Sequence, residues 1–248
     1  MARKSKAEPV SCEEPKKSIP CTLKIKLEDL KNVEALTDNQ LRFFKAYDQG
    51  DYFIALHGVA GTGKTFIALY KAIQEVLTKG NLYHKVIVIR SAVQGREQGF
   101  LPGDLDEKMS QYEMPYVQIA QSLFGRKDAW NILKGSDRVE FMSTSFLRGA
   151  TFDNSIVVMD ECQNCNFDEL NTVITRIGKN SKIIFCGDYR QNDLNKNRND
   201  VSGIKKFLDI SLLMPCHTRL EFGVEDIVRS SLVKEFIIAT LEYEDQNE

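Results

Sequence analysis

The sequence predicts an α/β fold: a mostly parallel sheet with helices on both faces, preceded by a short N-terminal extension. Three observations carry this reading. His57 to Thr65 reads H-G-V-A-G-T-G-K-T, between an apolar strand-like run (Tyr52 to Leu56) and a run with helical apolar spacing (Phe66 to Leu77). The near-continuous apolar runs K-V-I-V-I (85–89), S-I-V-V-M (155–159) and K-I-I-F-C (182–186) suit strands covered on both faces, as in parallel sheets. The second of these runs ends in two carboxylates, Asp160 and Glu161, at the strand end where α/β sheets bind ligands.

Size and charge narrow the possibilities. The 248 residues have room for one substantial core, so one domain over 21–243 is expected, with a flexible tail at 1–20 and an acidic tail at 244–248. Half of the six prolines fall in the first 20 residues among Lys16, Lys17, Glu13 and Glu14, a composition that cannot bury a core. A net charge of −2 argues against a histone-like binder, so any nucleic-acid contact must come from local basic patches. No apolar run approaches the ~20 residues of a membrane span, and Arg3, Lys4 and Lys6 have no apolar stretch behind them, so a cytoplasmic protein without membrane contact is expected. The six cysteines (12, 21, 162, 165, 186 and 216) are too sparse for a disulfide scaffold. Cys162 and Cys165 form one C-x-x-C without a second pair, so reduced, packed thiols are expected in place of zinc.

Taken in order, Thr22 to Leu27 alternates as T-L-K-I-K-L and predicts an edge strand. Thr37 or Asp38 caps a helix through Asp48, and Gln40 in its first turn is a candidate reader of an adenine edge, an exposed helix-start residue being the equal alternative. Strand 85–89 runs into Arg90-Ser91, and Gln94 to Asp104 is a long glycine- and charge-rich loop. A helix over 107–124 is expected to break at Pro115; Ala129 to Leu133 is a short apolar piece and Val139 to Met142 a short strand. A helix at 168–177 precedes the strand at 182–186, which leads to Gly187-Asp188-Tyr189-Arg190-Gln191, where a polar tip residue can sense a γ-phosphate. Asn195 to Arg198 with Lys205 and Lys206 is the best basic stretch, and 224–243 is a final amphipathic helical region bearing Arg229.

The chemistry centres on Gly58, Gly63, Lys64 and Thr65, which satisfy G-x-x-x-x-G-K-[ST]. Glycines at 58, 61 and 63 let the backbone of Gly58 to Thr65, Thr62 included, curl so that N–H groups and a helix N-terminus face one anion. Lys64 then neutralises β and γ phosphates, the Thr65 hydroxyl holds Mg²⁺, Asp160 completes the metal's shell, and Glu161 orients or deprotonates the attacking water.

Together these residues resemble the PhoH-like ATPase family, relatives of superfamily 1 helicase cores. The resemblance runs from about Thr37 to Tyr243 and rests on T-D-N-Q (37–40), G-V-A-G-T-G-K-T (58–65), G-F-L-P-G-D-L-D-E-K (99–108), M-D-E-C-Q-N (159–164), T-R-I-G-K-N-S-K (175–182), G-D-Y-R-Q-N-D-L (187–194) and E-D-I-V-R-S-S-L-V (225–233). It implies a RecA-like core, ATP hydrolysis with Mg²⁺, a ring-shaped, typically hexameric assembly, and action on RNA or another nucleic acid, with helicase activity possible. By the same resemblance Gln191 is a catalytic γ-phosphate sensor, and Arg229 a catalytic arginine, with Arg148 and Arg176 as the other candidates. The chain departs from the family at Ile89-Arg90-Ser91, Cys162 and Ala150, none of which carries phosphate or metal chemistry, and no fused nuclease is expected. The leading reading is a Mg²⁺-dependent ATPase acting on RNA or single-stranded nucleic acid. A phosphotransferase such as a nucleoside kinase and a nucleotide-gated scaffold with slow turnover remain open.

Overall fold

The computed structural model describes residues 24–91, 105–147, 149–188, 203–215 and 217–246. The chain builds α1 (Asp38–Asp48), β1 (Phe53–Gly58), α2 (Lys64–Leu77), β2 (Lys85–Arg90), α3 (Leu105–Phe124), α4 (Ala129–Gly135), β3 (Val139–Ser143), β4 (Ser155–Asp160), α5 (Phe167–Ile174), β5 (Lys182–Gly187), α6 (Ile204–Ser211), β6 (Thr218–Phe222) and α7 (Ser231–Asp245). The six strands form one sheet in the order β3-β2-β4-β5-β1-β6, and every pairing is parallel. This is the α/β, RecA-like arrangement expected. Strand β5 lies between β1 and β4, so the tips of three strands meet at one edge of the sheet.

Both faces are covered, which explains the unbroken apolar runs. Along β1, Ile54 and Leu56 enter one core with residues of α1, α2, α3 and α4, while Phe53 and Ala55 enter the other with residues of α5 and α6. The same alternation divides β4, where Ile156 and Val158 face the first core and Val157 and Met159 the second.

Four expectations need correction. The alternation at 22–27 does not make a strand over its described part: residues 24–26 are irregular and Leu27–Asp29 is a 3₁₀ turn. Ile25, Leu30 and Val33 instead pack against the first core, and the Lys31 N–H donates to Leu123 O (3.0 Å), so the segment crosses the end of α3. Helix α3 continues through Pro115, because proline costs the helix one hydrogen bond while its neighbours anchor the turn: Tyr116 is fully buried and Glu113 accepts from Trp130 Nε1 and Lys134 Nζ, each at 2.7 Å. The region 224–243 is not one helix, since a 3₁₀ turn at Val224–Asp226 and an extended Ile227 precede α7. Finally, the helix placed at 168–177 ends at Ile174. Two elements escaped sequence reading, β6 and α6. Strand β6 sits at the sheet edge, and among its residues T-R-L-E-F only Leu220 and Phe222 are buried, too weak a pattern to stand out. The loop 94–104, the basic stretch 195–198, Gln191 and Arg148 lie outside the described residues.

Candidate nucleotide site

The turn after β1 is shaped by glycines in the left-handed region, at φ 121° (Gly58), 76° (Gly61) and 80° (Gly63). Gly58 is required twice over, because a Cβ there would run into the backbone carbonyl of Phe222 on the neighbouring strand, the same carbonyl that accepts from Val59 N at 2.9 Å. Gly63 caps α2, whose first turn carries no acidic side chain, so the helix N-terminus presents positive potential to the cavity beside it.

Lys64 is the first residue of α2 and only 9% exposed. Its three ammonium protons are spent on the loop itself, donated to Gly58 O (2.9 Å), Val59 O (2.8 Å) and Thr62 Oγ1 (3.2 Å). Burial pushes its pKa down, partly opposed by the Asp188 and Glu161 charges. A phosphate would replace carbonyl partners with full negative charges, so Lys64 is a cation held ready for an anion. Thr62 is fully buried, and its hydroxyl donates to Val59 O at 3.0 Å. Thr62 thus staples the loop, and it and Gly58 shape the cavity without lining it.

Across the sheet, Thr65 Oγ1 donates to Asp160 Oδ1 at 2.7 Å, joining residues 95 positions apart. The second oxygen of Asp160 accepts from the Tyr116 hydroxyl at 2.9 Å. Burial raises the Asp160 pKa and the Glu161 charge raises it further, while the Thr65 and Tyr116 hydroxyls and Arg90 lower it. A buried carboxylate against a threonine hydroxyl, with a second carboxylate beside it, is a hard-oxygen donor set. It fits Mg²⁺, which takes one or two protein ligands and fills its octahedron with water and phosphate oxygens.

Glu161 follows at φ 51°, ψ 41°, a left-handed conformation that costs a non-glycine residue roughly 1–2 kcal/mol. The turn is held by Gln163, whose Nε2 donates to Glu161 Oε2 at 2.6 Å while its Oε1 accepts from Asp188 N at 3.1 Å. One glutamine thereby ties the tip of β4 to the tip of β5. The close approach requires Gly187, where a Cβ would lie 2.5 Å from Cys162 Sγ and 2.8 Å from Gln163 Oε1. The described cysteines 162, 165 and 186 are free thiols packed in the core, and among the described residues no group of three or more His, Cys, Asp or Glu is placed to hold a metal.

Arg229 reaches the same cavity from the C-terminal segment. Asn39 Nδ2 donates to Asp226 Oδ2 (2.7 Å), which also accepts from Gly223 N (2.9 Å), and Val228 N donates to Gly61 O (3.1 Å). These bonds set Arg229 over the loop, with its Cγ 3.1 Å from the place a Gly61 Cβ would occupy. Asp226 is engaged with Asn39 and Gly223, and among the described residues no ion pair joins Arg229 to Glu225 or Asp226. Arg176 does not line the cavity; it lies before β5, at the opposite end of the strands, where its carbonyl accepts from Phe152 N.

The resulting cavity, about 600 Å³, brings together Gln40, Gly61, Gly63, Lys64, Thr65, Asp160, Glu161 and Arg229. Gln40 is buried, with Nε2 donating to Thr62 O (3.0 Å) and Oε1 accepting from Leu36 N (2.9 Å), which leaves one amide proton and one lone pair for a ligand. Sequence reasoning assigned no role to Gln163, none to Asp188 beyond that of an unnamed polar residue at a strand tip, and none to Tyr116. The first two stood in motifs already noticed, whereas no local signal links Tyr116 to a carboxylate 44 positions on.

A family model described as PhoH-like protein matches residues 32–241. The chain belongs to the PhoH-like family. It is 34% identical over 229 residues to a PhoH-like protein of Mycobacterium leprae (91% of this chain, 63% of the relative). It is 32% identical over 222 residues to a PhoH-like protein of Bacillus subtilis (88% and 66%), and 33% identical over 206 residues to Protein PhoH of Escherichia coli K12 (82% and 57%). The chain thus spans less than two thirds of the length of these relatives. The matched region coincides with the sheet and its helices, so the family's shared part is the domain that builds this cavity.

His57, the residue before the loop, adds a pH dependence. It is buried and accepts from Arg219 Nε at 2.7 Å through Nε2, so its ring is neutral with the proton on Nδ1. Burial, then the Arg219 charge, lowers its pKa to about 4. Because the unfolded imidazole takes a proton near pH 6.5 and the folded one does not, the unfolded state binds more protons between these values and stability falls as pH drops from 6.5 to 4. The limiting slope is about 1.4 kcal/mol per pH unit. Denaturant midpoints at pH 7, 5.5 and 4.5 are expected to decline less in His57→Gln than in the parent; equal decline would exclude His57 as the source.

Proposed function

We propose that the protein is a Mg²⁺-dependent ATPase that couples hydrolysis to binding or remodelling RNA or single-stranded nucleic acid. The observation that carries the reading is the Thr65–Asp160 hydrogen bond, which puts a metal-type hydroxyl and carboxylate at the mouth of a loop whose lysine is already buried against it. In this reading the loop amides and the α2 N-terminus bind the phosphates, Lys64 neutralises the β and γ groups, Thr65 and Asp160 hold Mg²⁺, and Glu161 takes the water's proton. The metal, when bound, supplies charge neutralisation at the β and γ oxygens. In this reading Asp188 at the tip of β5 and, by the family resemblance, Gln191 sense the γ-phosphate, and Gln40 contacts the base.

Nucleic-acid coupling and a ring-shaped homo-oligomer rest on the family resemblance together with the exposed Lys205 and Lys206 of α6. Among the described residues no helix is long and apolar enough to cross a membrane, in keeping with a proposed cytoplasmic location. The test is ADP release with Mg·ATP, alone, with nucleosides, and with a panel of RNA and single-stranded DNA. Stimulation by nucleic acid supports the proposal; release only with a nucleoside acceptor would replace it by phosphotransfer.

Glu161→Gln keeps side-chain size and leaves Asp160 in place, so Mg·ATP affinity is expected to persist while turnover falls roughly 10²-fold or more through loss of the base. Equilibrium binding of a fluorescent ATP analogue beside steady-state turnover checks this; lost binding with normal turnover at saturating ATP would show the two acids to be exchanged.

A further inference from the structure

The Tyr116 hydroxyl is fully buried on α3 and donates to Asp160 Oδ2 at 2.9 Å, opposite the Oδ1 that faces Thr65. We propose that Tyr116 is a positioning residue for the metal site, fixing the rotation of the Asp160 carboxylate so that Oδ1 is presented to Thr65 and the cavity. This rests on the ATPase reading above and adds to it a residue outside every motif at the strand tips.

Three features argue that the hydroxyl has this role and not only a packing one. Asp160 is buried, so with two oxygens and two hydroxyl donors its orientation is determined completely; deleting one donor leaves the carboxylate free to turn Oδ1 away from the cavity. Tyr116 donates its proton to the carboxylate, which makes it a partner of a ligand and not a ligand itself. The turn that carries it is braced on both sides. Glu113 accepts from Trp130 and Lys134, and the Arg90 guanidinium lies over the Tyr112 ring, 5.9 Å from its centroid. The ring packs beside Trp130 and Phe141 at centroid distances of 6.2 and 5.4 Å, contacts that phenylalanine would preserve. Pro115, one residue earlier, lines the cavity, so α3 joins a wall of the nucleotide cavity to the metal-side carboxylate.

The experiment compares the parent with Tyr116→Phe in the full chain. Binding of a fluorescent ATP analogue is titrated with Mg²⁺, and turnover is measured against Mg²⁺ at saturating ATP. Partners that orient metal ligands are worth 10- to 100-fold in metal affinity or activity, so half-saturating Mg²⁺ is expected to rise about tenfold or more, in binding as in turnover. Nucleotide affinity without metal is expected to be unchanged, with Tm in the absence of ligand monitoring the fold. An unaltered Mg²⁺ midpoint in a folded variant overturns the proposal, as does an equal loss of affinity with and without metal, which would mark a packing role. If the parent itself shows no Mg²⁺-dependent nucleotide binding, the ATPase reading fails and the inference with it. A Mg²⁺-dependent parent with a folded variant of the same Mg²⁺ midpoint rejects the inference alone. Should Tyr116→Phe melt early, the same titrations of both proteins well below its Tm discriminate: a raised Mg²⁺ midpoint with unchanged metal-free nucleotide affinity supports positioning by the hydroxyl, and a normal midpoint refutes it.

Discussion

Substituting Lys64 by alanine is expected to lower ATP turnover by about 10³-fold and to abolish tight nucleotide binding. The magnitude follows from the burial of the charge. A preorganised donor in a site shielded from water is worth about 10² to 10³ in rate, and Lys64 adds a full positive charge that water reaches poorly. It is the side-chain cation that the loop itself delivers, from the first turn of α2. The same substitution removes donors from Gly58 O, Val59 O and Thr62 Oγ1, so the unliganded loop loses internal ties as well. Arginine at 64 retains charge but cannot place a compact ammonium among three acceptors, so it is expected to rescue poorly. Isothermal titration with Mg·ATP and steady-state ADP release check both halves; near-parent turnover in Lys64→Ala would remove the loop from catalysis.

Arg229→Ala is expected to reduce turnover by roughly 10³-fold or more while leaving nucleotide affinity within a small factor, the pattern of an arginine that stabilises the transition state only. The structure changes what this experiment asks. An arginine of this kind acts either within its own chain or on a neighbour in a ring, and here the Asp226–Asn39 and Val228–Gly61 bonds bring Arg229 to the cavity of its own chain. Among the described residues no ion pair holds it away, so the guanidinium is available to a ligand there. Mixing Arg229→Ala with Lys64→Ala subunits is therefore expected to restore nothing, since an intact Lys64 and an intact Arg229 never share a chain in the mixture. Recovery of activity would show that the arginine acts across an interface. Unchanged turnover in Arg229→Ala alone would take it out of the reaction.

The site was legible in the sequence where chemistry is local to one strand and the turn after it. Gly58 to Thr65 lies in one stretch, and Asp160 with Glu161 closes an apolar run, so each half could be found without the other. Gln163, Asp188 and Tyr116 were not legible as partners, because their contacts join separate elements: Gln163 links β4 to β5, and Tyr116 links α3 to β4. The expected break at Pro115 and the expected strand at 22–27 failed for a related reason. Both readings used local propensity, and in both cases packing against the first core decided the outcome.

What the sequence by itself determined is the fold class, the glycine-rich turn from Gly58 to Thr65 and the two strand-end acids. Near-continuous apolar runs mark strands buried on both faces, and a glycine pattern specifies backbone shape through short-range sterics. Only the tertiary structure decided the strand order, and with it the placement of β5 between the loop and the acids. It also decided the identity of the edge strand β6, whose Phe222 carbonyl makes Gly58 obligatory. The approach of Arg229 to Gly61 likewise belongs to it, because that contact depends on hydrogen bonds between residues more than 150 positions apart, which no window along the chain contains.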